Sequence, residues 1–497
     1  MVNSISNYYE LLKGLNMIVS EYLPESVMDC QVSSVTYNSK TAKAGSLFIC
    51  KGRNFKAQYL QDAIDLGACV YVSEEEYIKD FPHIIVKDIR EASIPITDTF
   101  YDAPYKKLEC IGVTGTKGKS SVVYFLRYIL DSWLEAQGKK DCAFLSSIED
   151  YDGVTLEEAH LTTPEINELY QFIATAAEND ISHMVVEVSS QALKYGRLGN
   201  IQFNLGVFTN LSEDHISAVE HPTLEDYIEA KKKMFERCRA VALYSGFDYY
   251  DEIRAYGETL SRIITYGFKD GDDIRCTDHY SKGGLQYFTV KTKNGEAEYN
   301  IRLAGLFSVE NALAAIAIAT ELGVPEENIR EGLHNTYVPG RMEIYESRDK
   351  NVVALVDYAH NGLSFNALLD YADGAFPDYT KIMVFGCPGG KAFIRRSTLG
   401  TISNRADMVY ITEEDSGAED FEKIAQEIAS YVHVPHFINE SREYCIHHAV
   451  EDNSGKLLLL ITGKGAETDM KRKNGYEPVK SDSQIAQEVV AAYDERN

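Results

Sequence analysis

The 497-residue sequence has no excess of positive charge, and its formal net charge is −27 at pH 7. Proteins that bind the phosphate backbone of nucleic acids are usually basic. The charge therefore argues against a nucleic-acid partner. It does not exclude a small anionic substrate, because such a ligand needs only a local cluster of hydrogen-bond donors and cations.

Cysteine pairs and long apolar runs are also missing. The nine cysteines are scattered without a C-x-x-C pair, which fits a reducing compartment better than a disulfide framework. The N-terminal stretch MVNSISNYYELLKGLN lacks the basic and then apolar pattern of a signal peptide. No run approaches the roughly 20 apolar residues of a membrane-spanning helix. We therefore expect a soluble, cytoplasmic protein, and we expect it to be monomeric.

The length predicts about three domains of ~150 residues each. Residues 1–105 mix short strands and helices and are expected to form a small α/β domain. Residues 106–336 alternate apolar, β-branched runs with helical patterns, which favours a parallel sheet covered by helices, as in phosphate-loop ATPases. Residues 337–497 begin at a Pro-Gly pair and repeat that alternation, which predicts a Rossmann-like doubly wound domain. The predicted fold class is thus α/β in three domains.

Individual elements follow from the same patterns. A long periodic helix is predicted over 306–323, ended by Gly323. Strands are predicted at 45–52, 68–74, 107–115, 182–190, 203–211, 240–246, 351–359, 381–390, 407–415 and 456–465.

The stretch CIGVTGTKGKSS, residues 110–121, resembles a phosphate-binding loop with altered spacing. The usual form G-x-x-x-x-G-K-[ST] requires glycine at position 113, where this chain has valine. Glycines between a strand and a helix let backbone N–H groups converge on phosphates. Lys119 would then contact the β- and γ-phosphates, and Ser120 would bind Mg²⁺. A glycine-rich turn without ligand is the alternative. The predicted ATP-binding positions of the loop are Thr114, Gly115, Thr116, Lys117, Gly118, Lys119 and Ser120.

The variant GVTGTKGKSS resembles the signature of the Mur ligase family. Four further segments occur in the order typical of its UDP-N-acetylmuramoyl-tripeptide synthetases: LTTPE, EVSSQALKYGRL, FTNLSEDHI and DYAHNG. The resemblance covers nearly the whole chain. It implies a three-domain amide ligase that uses ATP to phosphorylate a substrate carboxylate. An amino acid then displaces phosphate from the acyl phosphate.

The resemblance also implies the catalytic and metal-binding groups. Glu187 ends an apolar strand and would hold Mg²⁺ together with Ser120. His215 matches a histidine beside a second metal and the γ-phosphate, and Lys231 matches a carbamylated lysine that would orient that metal. Lys119, His215 and Lys231 are the expected catalytic residues. The alternatives are a polar strand end, a structural histidine and a solvated run of lysines.

Substrate-binding positions are implied in the same way for the UDP-muramoyl peptide. Thr162, Thr163, Ser189 and Arg197 match family positions that serve the acceptor, although Gln191 replaces the usual histidine. In the N-terminal part, VTYNSKTAKAGSLFICKG resembles a uridine-binding stretch. There Ser39 would contact the uracil or ribose, or would lie in a plain surface turn.

The C-terminal part is expected to complete the ATP site and to select the amine. Asn311 matches an adenine-binding asparagine, and Arg341 and Asp357 match groups that close over ATP. The expected amino-acid-binding residues are Lys391, Glu414, Asp415, Gly463 and Glu467.

Family members that add diaminopimelate carry the motif D-N-P-R, whose arginine binds the distal carboxylate of diaminopimelate. In this chain Gly417 occupies the position of that arginine. Two carboxylates without a cation should repel a second carboxylate on the amine. The sequence therefore favours L-lysine or another basic amino acid. A diaminopimelate-adding enzyme, a Mur-like ligase acting outside peptidoglycan synthesis and an inactive Mur-fold binding protein remain the alternatives.

Overall fold

The computed structural model describes residues 3–52, 55–213, 216, 220–282, 285–303 and 305–496. The chain divides into two compact units, Met1–Arg275 with Leu313–Gly332, and Cys276–Ala312 with Leu333–Asn497. The domain boundaries predicted after residues 105 and 336 stay a prediction.

The first hundred residues form a small α/β layer of the first unit. Its sheet has the order β1-β5-β4-β3-β2, with β1 antiparallel at one edge and the remaining strands parallel. The predicted strands over 45–52 and 68–74 are confirmed as β3 and β4. The elements are α1 (Ile5–Gly14), β1 (Ile18–Tyr22), α2 (Glu25–Met28), β2 (Ser34–Thr36), β3 (Ser46–Ile49), α3 (Ala57–Asp65), β4 (Ala68–Ser73), β5 (His83–Val86) and α4 (Ile89–Tyr101).

A larger, mostly parallel sheet follows in the same unit. Its strands are β6 (Glu109–Thr114), β7 (Ala143–Leu145), β8 (Glu149–Tyr151), β9 (Leu156–Glu158), β10 (His183–Glu187), β11 (Phe203–Phe208), β12 (Cys238–Tyr244) and β13 (Arg262–Gly267). Its helices are α5 (Lys119–Ala136), α6 (Ile166–Glu178), α7 (Ser190–Lys194), α8 (Leu224–Lys232) and α9 (Tyr250–Gly257). The order of these eight strands is β13-β12-β11-β6-β10-β7-β8-β9.

Strand β6 lies at the point where the strand order of this sheet reverses: β7 and β10 lie on one side of it, and β11 to β13 lie on the other. It pairs in parallel with β10 on one side and with β11 on the other. Open α/β sheets bind ligands in the crevice at the carboxyl ends of the strands that flank such a point. The loop after β6, the end of β10 and the end of β11 therefore meet at one place.

The second unit contains a parallel sheet that the sequence predicted and a hairpin that it did not. The chain continues with β14 (Ile274–Lys282), β15 (Leu285–Thr292), β16 (Gly295–Ile301), α10 (Leu306–Leu322), α11 (Glu326–Asn335), β17 (Glu343–Glu346), β18 (Val352–Asp357), α12 (Gly362–Ala375), β19 (Thr380–Phe385), α13 (Ile394–Ile402), β20 (Met408–Ile411), α14 (Phe421–Ala429), β21 (His436–Ile438), α15 (Arg442–Glu451), β22 (Leu457–Thr462), β23 (Asp469–Arg472), β24 (Gly475–Pro478) and α16 (Asp482–Arg496). Strands β15 and β16 form an antiparallel hairpin.

The six-stranded sheet of this unit has the order β17-β18-β22-β19-β20-β21. All its strands run parallel except the edge strand β17. Apolar side chains on both faces, such as Leu458 and Leu459, are fully buried, as expected for a sheet covered by helices on both sides. The predicted doubly wound arrangement is confirmed.

Helix α10 confirms the long periodic helix that Gly323 was expected to end. Residues 312–319 are buried all round, which explains why its apolar residues do not form a single stripe. Among the residues that the structure describes, no helix has the length and apolar content needed to cross a membrane.

Candidate active site

The loop after β6 is held in place by the loop after β11. The backbone N–H of Thr116 donates to the Asn210 carbonyl at 3.0 Å, and that of Lys117 donates to the Asn210 side chain at 2.9 Å. Gly115 has φ +144°, and a Cβ there would overlap the Thr209 hydroxyl, so only glycine fits. Gly118, at φ +85°, precedes the first turn of α5. The altered glycine spacing therefore follows from the packing of the loop against β11.

Two lysines from different elements meet at the Gly115 carbonyl. Lys119 Nζ donates to it at 3.1 Å and to the Thr116 carbonyl at 3.2 Å. Lys231 Nζ, at the end of α8, donates to it at 2.7 Å and is almost fully buried. The structure thus places the predicted carbamylation site directly against the predicted phosphate loop. Both ammonium groups contact backbone oxygens that a bound phosphate would compete with.

Beside these lysines lies a group of oxygen ligands. Glu187, the last residue of β10, is buried, and its Oε1 lies 3.9 Å from Lys119 Nζ. Its Oε2 accepts a 3.0 Å hydrogen bond from the backbone N–H of Ser147. The Ser147 hydroxyl in turn lies 2.9 Å from the Ser120 hydroxyl. A carboxylate and two hydroxyls are the hard oxygen donors that Mg²⁺ prefers, so the side chains present fit that ion.

A second buried carboxyl lies near Glu187 and was not predicted. Burial raises the pKa of Asp150 to about 7, and the neighbouring carboxylates of Glu157 and Glu187 add to this, although the Ser146 N–H opposes it. Asp150 sits on the short hairpin strand β8, whose residues show no alternation that distinguishes them from a loop. Only the pairing of β7 with β8 brings this carboxyl to the site.

The predicted acceptor-binding residues Thr163 and Ser189 lie together at the end of β10. The Thr163 hydroxyl donates to the Glu187 carbonyl at 2.8 Å and accepts from the Ser189 N–H at 3.0 Å. The Ser189 hydroxyl caps α7 by accepting from the Ala192 N–H. Both hydroxyls therefore shape this turn. Thr162 is half-buried and makes no side-chain hydrogen bond to a described residue.

Arg197 approaches the same turn but already has a carboxylate partner. Its Nη1 donates to the Thr163 carbonyl at 3.2 Å, and its Nε lies 2.7 Å from Glu165 Oε1. Lys51, after β3, pairs with the other oxygen of Glu165 at 2.5 Å. Arg197 was predicted to bind the substrate, whereas Glu165 and Lys51 were not predicted. These two connect the small N-terminal sheet to the acceptor turn.

Two predicted residues are less informative. Ser39 is half-buried in a short turn after β2, and its hydroxyl bonds to no described residue. His215 lies outside the described residues, so its role stays a prediction.

The second unit brings Arg341 and Asp357 together, whereas Asn311 is buried within α10. Arg341 lies 4.4 Å from the centre of the Tyr358 ring. Asp357 ends β18 and accepts hydrogen bonds from the N–H groups of Met342 and Ala359. Burial raises the pKa of Asp357, and Arg341 opposes that rise.

Glu414 follows β20 and is buried. Its carboxylate forms no hydrogen bond or ion pair with any described residue. Burial raises its pKa to about 7, assisted by Asp415, although Arg442, Arg395 and Lys464 oppose the rise. A Cβ at Gly463, after β22, would approach the Glu414 carboxylate to 2.3 Å, and φ there is +108°, which L side chains rarely adopt, so both features favour glycine.

The expectation of a cation-free site around Glu414 and Asp415 is wrong. Lys464 is buried, and its Nζ lies 3.1 Å from Asp415 Oδ1 and also pairs with Glu467. The cation comes from the loop after β22, some 50 residues further along the chain, which a local motif cannot reveal. Carboxylates still outnumber this ammonium group, because Asp415, Glu467 and Asp469 all lie within 4.0 Å of Lys464 Nζ.

Gly417, where diaminopimelate enzymes carry arginine, is bridged to the hairpin strand β23. Its N–H donates to the Lys471 carbonyl at 2.9 Å. The next residue of that strand, Arg472, binds the buried Glu413 carboxylate at 2.7 Å and also pairs with Glu477. An arginine is therefore present near the motif, but two carboxylates already neutralise it.

The cation of the loop before α13 and that of its first turn differ in role. Lys391 is exposed and forms no hydrogen bond or ion pair within the described part of the chain. Arg396 is buried and paired with Glu419 and Glu427, so it stabilises the fold and is not free for substrate.

Comparisons with known proteins agree with this arrangement. Residues 113–319 match the Mur ligase middle domain, and residues 340–465 match the Mur ligase, glutamate ligase domain. The chain is 36% identical to a UDP-N-acetylmuramoyl-L-alanyl-D-glutamate--L-lysine ligase of Streptococcus agalactiae over 92% of each protein. It is 34% identical to the enzyme of that name from Enterococcus faecalis, over 96% of this chain and 94% of the other. A UDP-N-acetylmuramyl-tripeptide synthetase of Lactococcus lactis is 36% identical over 95% of both.

Solved structures show the same fold at lower identity. A UDP-N-acetylmuramoyl-L-alanyl-D-glutamate--2,6-diaminopimelate ligase superposes with a TM-score of 0.67 at 21% identity and covers 99% of both chains. A MurF ligase from Thermotoga maritima in complex with ADP gives 0.59 at 18% identity, over 94% of this chain and 97% of the other.

Proposed function

Because the chain belongs to the Mur ligase family, we propose that it joins L-lysine to UDP-N-acetylmuramoyl-L-alanyl-D-glutamate, with ATP cleaved to ADP and phosphate. Relatives that carry this activity in their names align over almost the entire length of the chain. The reaction would serve peptidoglycan synthesis in the cytoplasm, where ATP is available.

The observation that carries the proposal is the meeting of Lys119, Lys231 and Glu187 at the phosphate loop. An acyl-phosphate mechanism must bring two anions together, the γ-phosphate and the acceptor carboxylate. Lys119 would leave the Gly115 carbonyl to contact the β- and γ-phosphates. Ser120 and Glu187 would hold Mg²⁺, which supplies charge neutralisation when bound.

Lys231 is proposed to act as a carbamate, and His215 is proposed to act at the second metal and the γ-phosphate. A carbamate replaces the ammonium with an anionic group, and the short distance from Lys231 to the loop supports a role at the phosphates. Thr114, Gly115, Thr116, Lys117 and Gly118 would wrap the nucleotide phosphates. Asn311, Arg341 and Asp357 are also proposed to contribute to ATP binding.

The acceptor is proposed to bind at the turn containing Thr162, Thr163, Ser189 and Arg197, with its uridine near Ser39. The excess of carboxylates around Lys464 supports an amine that carries a second ammonium group. Glu414, Asp415 and Glu467 would attract the lysine side chain, and a diacid such as diaminopimelate would meet repulsion there. Gly463 and Lys391 are proposed to complete that site.

The test is phosphate release and product formation with ATP, Mg²⁺, the UDP-muramoyl dipeptide and separate amino acids. We expect turnover with L-lysine and much less with diaminopimelate. Turnover with diaminopimelate alone would favour the diaminopimelate-adding alternative. Absence of turnover with every amine would contradict the proposal and favour a substrate outside peptidoglycan synthesis or an inactive binding protein.

A matched pair of lysine variants tests the role of the buried amine. Lys231→Met should abolish phosphate release, because it removes the group beside the Gly115 carbonyl. Lys233→Met, two residues on and exposed, should leave the rate within about twofold. Equal rates of phosphate release for the two variants would contradict a role of Lys231 in the mechanism.

A further inference from the structure

A buried histidine joins the acceptor turn to α8. His221 is fully buried, and its Nε2 lies 2.9 Å from the Ser190 hydroxyl. Its Nδ1 lies 2.6 Å from Asp226 Oδ2, in the first turn of α8. Lys194, on α7, pairs with the same Asp226 oxygen at 2.6 Å. Helices α7 and α8 are therefore linked twice through one carboxylate.

The same helix is attached to the phosphate loop on its next turns. The edge of the His221 ring contacts Tyr227, with ring centres 5.1 Å apart. The Tyr227 hydroxyl donates to the Thr116 hydroxyl at 3.1 Å. Lys231, one turn further along α8, donates to the Gly115 carbonyl. A continuous chain of contacts thus runs from the acceptor turn through His221 and α8 to the loop.

We propose that His221 is a positioning residue that fixes the acceptor turn relative to the phosphate loop. The inference rests on the proposed function, in which an acceptor carboxylate attacks the γ-phosphate. Such a transfer depends on holding the attacking and leaving oxygens in line, and a displacement of ~1 Å can lower the rate about 100-fold. In this role His221 acts through Ser190 and Tyr227.

Geometry distinguishes this role from that of an ordinary core histidine. His183 provides the comparison, because it too is buried and lies 2.8 Å from a serine hydroxyl, that of Ser182. That pair sits at the amino end of β10, whereas Ser190 lies beyond its carboxyl end. Both histidines should stabilise the fold, but only His221 connects two parts of the proposed site.

The experiment measures kcat, the KM for ATP and for the UDP-muramoyl dipeptide, and thermal stability in four single variants and in the double variant of His221→Phe with Ser190→Ala. His221→Phe keeps an aromatic ring but removes both hydrogen bonds. Ser190→Ala removes one of them from the other side. His221→Gln retains an amide that can reach Ser190. His183→Phe is the matched control.

We expect His221→Phe and Ser190→Ala to lower kcat about 10- to 100-fold while the KM for ATP changes little. The double variant should lose no more than His221→Phe alone, because both changes break one link. His221→Gln should recover part of the rate. His183→Phe should lower the melting temperature and leave kcat unchanged. If His221→Phe does not fold, Ser190→Ala carries the test alone.

Two results would overturn the inference while leaving the proposed function intact. In the first, the wild type is active, and His221→Phe and Ser190→Ala both have a kcat within about twofold of the wild-type value. The second is a double variant whose loss equals the product of the single losses, which would mean that the two residues act independently. A wild type that releases no phosphate would refute the proposed function itself, and this inference would fall with it.

Discussion

Replacing Glu414 with Gln should make the stability of the second unit less dependent on pH. In the wild type, burial raises the pKa of this carboxyl from its ordinary 4.5 to about 7. The folded chain therefore binds more protons than the unfolded chain between these values. The associated stability is fully present below pH 4.5 and is lost as the pH rises to about 7. Gln cannot ionise, so the variant does not lose it.

The size of the effect follows from the two pKa values. One pKa unit corresponds to 1.36 kcal/mol, so a rise from 4.5 to about 7 is worth about 3 kcal/mol. The free energy of unfolding of the Gln variant minus that of the wild type should therefore increase between pH 5 and pH 8, by most of this amount. In an opening equilibrium the change amounts to about two orders of magnitude.

Hydrogen exchange followed by mass spectrometry suits a chain of several domains, because it reports each segment separately. The peptides to follow cover β20 and β22, the strands that Glu414 and Gly463 follow. The ratio of their exchange rates in variant and wild type is taken at each pH, which cancels the intrinsic pH dependence of exchange. This ratio measures how the substitution changes the opening that exposes Glu414 to water.

Glu419→Gln is the control from the same loop. Hydrogen bonds from Arg396 and Gly390 lower the pKa of Glu419 to about 2, so this carboxylate stays ionised between pH 5 and 8 in both states. Its variant should be destabilised by an amount that does not vary over this range. A ratio for Glu414→Gln that is equally flat from pH 5 to 8 would refute the reasoning, since Glu414 would then titrate at its ordinary value.

Three further changes test the geometry. Gly115→Ala should weaken ADP binding at least tenfold in calorimetry, because its Cβ has no room and its φ is +144°, whereas Gly138→Ala, in open space, should not. Gly417→Arg should shift the ratio of kcat/KM values from lysine towards diaminopimelate. Its Cβ meets open space, but φ of +59° should cost about 1 kcal/mol, and an unchanged ratio would refute the charge argument. Arg472→Met should destabilise the second unit by about 3 kcal/mol in denaturant unfolding, because it leaves the Glu413 carboxylate buried without its cation, and Glu413→Gln in addition should restore much of the loss.

The ten predicted strands, all of them parallel in the structure, were predictable because each is a short apolar run ended by polar or glycine residues, whereas the parallel strands β2, β5, β13 and β21 were missed. Those ends gave the approximate place of the site, since Glu187, Asp357 and Gly463 all directly end or follow such runs. The short strands β7 to β9 and the hairpin of β15 and β16 were missed. Three-residue strands carry too little periodicity to be distinguished from loops.

Family membership and the identity of the loop residues could be established from local order along the chain, because Gly115, Lys119 and Ser120 lie within six positions of one another. Partnerships over long separations could not. Lys231 meets Gly115, Glu165 meets Lys51, and Lys464 meets Asp415 only after the strands between them have paired. The charge of the amino-acid site shows the difference most clearly: the local motif holds carboxylates alone, and folding adds the buried ammonium group of Lys464. Sequence spacing specifies which groups follow a strand, but electrostatics depends on distance in space, and the order of the strands sets that distance.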